Sequence, residues 1–128
     1  MNNPDLGLLL FRLFIGLTMA LAHGLGKTPP PEQLIEGVAK MGFPMAIVFA
    51  WAASLSELLG GLCIAVGLYT RQASAFLGFT MAVAAFRAHG ADPFQMKEMS
   101  LLYLAACVLF LFHGAGKYSL DKMIRKIK

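Results

Sequence analysis

Charge is scarce in this sequence. Only 14% of its 128 residues are Asp, Glu, Lys or Arg, where soluble domains carry about 25%, and 58% are hydrophobic. A chain this short buries only a modest fraction of its surface, so a water-soluble fold has no room to hide so much apolar side chain. Lipid is the solvent that this composition calls for. Cysteine is also scarce. Cys63 and Cys107 lie in separate apolar runs and form no CxxC, so both read as small buried residues. The opening Met-Asn-Asn-Pro-Asp has no basic residue, and the first apolar run has no cleavage signal, so that run reads as a retained helix. No phosphate loop, nucleophile elbow or dinucleotide fingerprint is present. No polar stretch is long enough to build a basic face with stacking aromatics, which excludes nucleic acid as a partner.

What is present is a succession of apolar runs. They cover about residues 6–25, 45–68, 73–88 and 99–115, near the roughly 20 residues that cross a bilayer. Thr28-Pro-Pro-Pro-Glu32 ends the first. Between it and the second, Leu34, Ile35, Val38 and Met41 recur at helical spacing among Glu32, Glu36 and Lys40, the pattern of an amphipathic helix lying in the interface. The tail places Leu120, Met123, Ile124 and Ile127 on one face and basic residues on the other, with Ser119 placed to cap it. The expected fold is all-α: an integral membrane four-helix bundle, with a short amphipathic interfacial helix after the first span and an amphipathic basic C-terminal tail, in a single membrane domain over residues 1–128.

Four spans put both termini on one side. Lys117, Lys122, Arg125, Lys126 and Lys128 join Arg71 there, against Lys27, Lys40, Arg87 and Lys97 on the other. The positive-inside rule then sets both termini in the cytoplasm of a bacterial inner membrane, with the basic tail facing anionic lipid.

A charge inside a span costs about 3 kcal/mol and is kept for a partner or a task. At the outer end, His23, Lys27, Arg87, His89 and Glu98 form one candidate polar cluster, with His23 and Lys27 four apart on one face. It suits an anion, a quinone head group or an acidic group of a partner; alternatively these residues snorkel to water and pair among themselves. Deeper, Arg12, Glu57 and His113 form a second candidate group. Arg12 lies about 9 Å and Glu57 about 16 Å from the cytoplasmic end at 1.5 Å per residue, so an Arg12–Glu57 ion pair is expected. It serves either to fix helix register or as a proton or ligand site. Ala50, Ala53, Ser54, Gly60 and Gly61 surround Glu57, and Gly78, Ala82 and Ala85 lie on the third span, small residues that let helices approach closely. His23 and His89 are the one histidine pair at matching depth, so haem is a minor alternative to quinone. No spacing matches a metal site.

The order and spacing of several short stretches resemble the DoxX family over essentially the whole chain. They are Arg12-Leu-Phe-Ile-Gly16, His23-Gly24 followed by Lys27, Met41-Gly-Phe-Pro44, Glu57-Leu-Leu-Gly-Gly61, Gly67-Leu-Tyr-Thr-Arg71, His89, Glu98, and Gly114-Ala-Gly-Lys-Tyr-Ser-Leu-Asp121. The resemblance implies a four-helix inner-membrane protein tied to respiratory or redox complexes, as in an archaeal quinol oxidase subunit and mycobacterial membrane oxidoreductase assemblies. It assigns no agreed catalytic role to Arg12, His23, Lys27, Glu57, His89 or Glu98. Paired cysteines of thiol-oxidising four-helix enzymes are missing here. Three functions follow in order: a membrane subunit of a quinone-linked oxidoreductase complex, a non-catalytic anchor or assembly partner, and a solute or proton pathway in a homo-oligomer.

Overall fold

The structure, a computed structural model, describes residues 3–127; Lys128 of the basic tail lies outside the described residues. Six α-helices and no strand occur among the described residues. Asn3 starts α1 (Pro4–Thr18) by accepting the amide of Leu6 at 3.1 Å, with Pro4 in the first turn. The helix continues through a π-helical stretch, Met19–Gly24, and a 3-10 turn, Leu25–Lys27, before the proline run stops it. Then come α2 (Glu32–Lys40) and α3 (Ala46–Val66), the latter ended by Gly67 at φ 75°. Helix α4 (Thr70–Val83) also ends in a π-helical stretch, Ala84–Ala88. Helix α5 (Phe94–His113) follows Pro93 and stops at Gly114, with φ 81°. Helix α6 (Leu120–Ile127) is capped by Ser119, whose hydroxyl accepts the Lys122 amide at 3.3 Å.

The four apolar runs are therefore four long helices. Three of these, Pro4–Lys27, Ala46–Val66 and Phe94–His113, are long and apolar enough to cross a membrane. Helix α5 starts five residues earlier than the sequence pattern indicates, right after Pro93, and so takes in Lys97 and Glu98.

Helix α3 packs on α1 and α4, and α4 packs on α5. The ring closes between α1 and α5 through Phe11 on Phe110, with centroids 5.6 Å apart, and His23 edge-on to Tyr103 at 5.7 Å. Met19, Ile64, Leu77, Cys107 and Phe110 fill the centre. Phe14, Phe76 and Phe112 are each about 70% exposed or more; on a membrane protein they meet lipid.

A ladder of small residues fixes how α1 and α3 meet. A Cβ added at Gly16 would lie 2.5 Å from the Ala65 nitrogen and the Gly61 oxygen, and one at Gly61 2.8 Å from the Ala20 nitrogen. Gly24 faces the backbone of Leu58 just as closely. Gly16, Ala20 and Gly24, spaced by four, thus lay one helix backbone on the other. This register brings the end of α1 alongside Glu57, the twelfth of the 21 residues of α3. Helix α2 packs against α3 in turn, and Phe43 behind it meets Phe49 with ring centroids 5.0 Å apart.

Candidate functional site

The charges predicted to meet as Arg12–Glu57 do not. Arg12, 1% exposed, spends its guanidinium on backbone carbonyls. Nε donates to Ala65 at 3.3 Å, Nη2 to Tyr118 at 2.7 Å, and Nη1 to Ala115. The physical reason is the α1–α3 register: Arg12 lies beside Gly67, which ends α3 ten residues beyond Glu57. A Cβ at Gly67 would be 3.1 Å from the guanidinium carbon. Three stretches that carry the family resemblance are tied together here. Asp121 accepts the amides of Tyr69 at 2.7 Å and Thr70 at 3.1 Å, capping α4 from another helix, and its own amide donates to Gly67. Arg12, Gly67–Arg71 and Gly114–Asp121 form one structural knot at the end of the bundle that bears α6, the tail end. His113, grouped with Arg12 and Glu57 by sequence, is exposed at the close of α5 and lies in that same region.

Glu57 pairs instead with Lys27. The Lys27 Nζ is 3.3 Å from Oε1, to which it donates, and 3.2 Å from Oε2. The Glu57 side chain is 6% exposed and that of Lys27 41%, so the carboxylate is buried in the bundle and the lysine is half-exposed. Oε2 makes no hydrogen bond among the described residues, and neither does the fully buried hydroxyl of Ser54, one turn away on the same face of α3. Around this pair the bundle turns polar. Ser56 shares a 2.8 Å hydrogen bond with Thr80 across α3 and α4. His23 sits one turn before Lys27, against Tyr103, the tenth of the 20 residues of α5. The π-helical Met19–Gly24 stretch carries His23, and such widened turns recur at functional sites. The Gly24 carbonyl is accounted for by the Thr28 hydroxyl at 2.8 Å.

The expected outer cluster accordingly divides. His23 and Lys27 belong to the polar middle. Arg87 donates to the Met41 carbonyl and ties the end of α4 to the end of α2. His89 bonds Asp92 at 2.9 Å, and Glu98 is exposed on α5. The bounds of the apolar runs do not show this, because the vertical offset between α1 and α3 is set by the small-residue ladder. Ser54, Ser56, Thr80 and Tyr103 were missed for a different reason: single hydroxyls in apolar runs look like packing.

The Lys27–Glu57 pair gives a direct prediction. Lys27→Met leaves a buried carboxylate without a partner and should cost about 2 kcal/mol, less than for a fully buried pair because Lys27 is half-exposed. Adding Glu57→Met should restore most of that loss. A double-mutant cycle on thermal unfolding in detergent measures the coupling; purely additive losses would show that the two side chains act separately.

A bundle of apolar helices around a buried carboxylate and its half-exposed lysine defines a small multi-pass membrane protein. The chain belongs to the DoxX family, whose model matches residues 7–90. It is 31% identical to an uncharacterised Haemophilus influenzae protein, over 98% of this chain and 99% of that one. It is 28% identical to a Bacillus subtilis protein named "Putative oxidoreductase CatD", over 97% of this chain and 91% of that one. An uncharacterised membrane protein of Mycobacterium tuberculosis is also 28% identical, over 90% of this chain and 79% of its own length. No solved structure matches.

Proposed function

We propose that this chain is a membrane subunit of a quinone-linked oxidoreductase complex in a bacterial inner membrane, with both termini in the cytoplasm. The observation that carries the reading is the half-exposed Lys27 on a buried Glu57 carboxylate, level with the middle of α3 and next to the unpartnered Ser54 hydroxyl. Buried polar groups without partners are costly and rare, and ionisable residues at this depth mark pathways and ligand sites. The residues suit a quinone head group: Lys27, Ser54, His23 and Tyr103 supply hydrogen-bond donors for carbonyl oxygens, and Glu57 supplies a proton acceptor. A bound quinone would supply the two-electron chemistry, with electrons drawn from the partner enzyme. Lys27 holds the Glu57 carboxylate in place by its hydrogen bond, and the α1–α3 backbone contact packs the bundle closed beneath it. The name of the Bacillus subtilis relative points the same way.

A second reading, a non-catalytic anchor, is supported by Arg12, whose three guanidinium nitrogens each donate to a backbone carbonyl.

Mild-detergent purification from native membranes, with mass spectrometry and quinone-reduction assays, separates them. A stoichiometric oxidoreductase partner is expected. With Glu57→Gln the partner should stay bound while quinone turnover falls about a hundredfold, the scale of losing a positioned proton acceptor. Unchanged turnover in that variant would leave the anchor reading. Recovery of copies of this chain alone would favour the homo-oligomeric pathway.

A further inference from the structure

A cavity of about 760 Å³ opens at the tail end, between the α3–α4 turn, the close of α5 and α6. Its walls carry four permanent cations, Arg71, Lys117, Lys122 and Arg125, and two carboxylates, Asp5 and Asp121. Five of the acceptors around it are occupied, and the half-buried Asp5 carboxylate remains as one opposing charge. Asp121 is held by the amides of Tyr69 and Thr70. The carbonyls of Ala115 and Tyr118 are bonded to Arg12 beneath the floor, that of Phe112 accepts from Arg71 at 3.4 Å, and that of Gly116 accepts from Ser119. The floor is bent by Gly114 and Gly116, both at positive φ. A Cβ at Gly114 would lie 3.4 Å from Arg71 Nε, so the missing side chain lets the guanidinium lie on the floor. Donors are left in surplus: Lys122 and Arg125 are exposed on α6. The result is a concave surface with four cations against two carboxylates, one of which, Asp121, is engaged by backbone amides.

We propose that this cavity binds a phosphate group, carried by the head group of an anionic lipid or by a soluble phosphate ester. Arginine forks and lysine ammonium groups are the side chains that recognise phosphate. The volume exceeds what a bare phosphate needs and suits one joined to glycerol. The exposed apolar residues Phe112, Met123 and Ile124 lie on the helices that wall it, where acyl chains of a lipid would run.

The test uses the full chain in nanodiscs of equimolar phosphatidylcholine and phosphatidylglycerol, released for native mass spectrometry. One phosphatidylglycerol per chain should be retained in preference to phosphatidylcholine. A variant with Lys122→Gln and Arg125→Gln, and two lysines appended after Lys128, keeps the total charge of the tail but strips the cavity. Its retention should weaken about thirtyfold, at about 1 kcal/mol for each basic residue removed. Thermal unfolding checks that it folds. Displacement of the lipid by millimolar glycerol 3-phosphate would assign the site to a soluble ester, and resistance to it would assign the site to lipid. Equal retention by the variant and the unmodified chain, or equal retention of the two lipids, would overturn the proposal by reducing the cavity to diffuse tail charge.

Discussion

Arg12→Ala should all but abolish the folded protein. The side chain is buried and its hydrogen bonds reach Ala65 on α3 and both Ala115 and Tyr118 in the loop before α6. A hydrogen bond to a charged group contributes about 1.5–3 kcal/mol, and removing the donor strands a buried acceptor. Three such losses, with the cavity left behind, exceed about 5 kcal/mol, comparable to the whole stability of a small domain. Arg12→Lys should still cost about 2 kcal/mol. It preserves the charge, but one ammonium cannot reach carbonyls that a planar fork spans. The readout is the monodisperse yield and thermal midpoint in mild detergent. If Arg12→Ala purifies with an unchanged midpoint, water must reach these carbonyls and the knot is not what closes the tail end. This effect is separable from function. The loss should be one of folding, and any Arg12→Lys protein that survives should keep its Lys27–Glu57 coupling, because that pair lies farther along α1 than Gly16 and Ala20.

The number of long helices and their approximate bounds could be read from the sequence, because lipid demands long apolar runs and Pro, Gly and paired charges punctuate them. The amphipathic α2 and α6 were legible for the same reason, and Ser119 was visible as a cap. The identity of the important charges was legible too, since Arg12, Lys27 and Glu57 stand out against apolar neighbours. Their partners were not. Arg12 is satisfied by backbone carbonyls, which every residue carries and no pattern announces. Lys27 reads as an outer-end residue when every run starts and stops at the same two planes. In the fold, α1 is displaced along α3, and residues 28–45, including α2, occupy the remaining space. The missing signal was the Gly16, Ala20, Gly24 spacing. The small residues around Glu57 drew attention to one side of the contact, and the complementary ladder on α1 sets its height.

That ladder is the subject of the second large effect. Gly16→Ala should destabilise the protein by about 2 kcal/mol net, even though alanine is the better helix former by about 1 kcal/mol. The added methyl meets the backbone nitrogen of Ala65 and oxygen of Gly61 at 2.5 Å, and neither is the end of a flexible side chain that could step aside. The helices must separate. Gly16→Leu should prevent their pairing altogether. Gly7→Ala is the matched control in the same helix: nothing lies within 4 Å of its added carbon, so it should gain about 0.5–1 kcal/mol from reduced backbone freedom in the unfolded chain. Thermal unfolding in one detergent compares the three. A neutral or stabilising Gly16→Ala would mean that the α1–α3 contact is loose and does not set the register. The consequence for the site is sharper than the loss of stability. Lys27 reaches Glu57 only because Gly16, Ala20 and Gly24 bring two backbones together, so the Lys27–Glu57 coupling energy measured in the Gly16→Ala background should shrink toward zero. Gly7→Ala should leave that coupling intact, which ties the chemistry of the buried pair to a glycine more than two helical turns away.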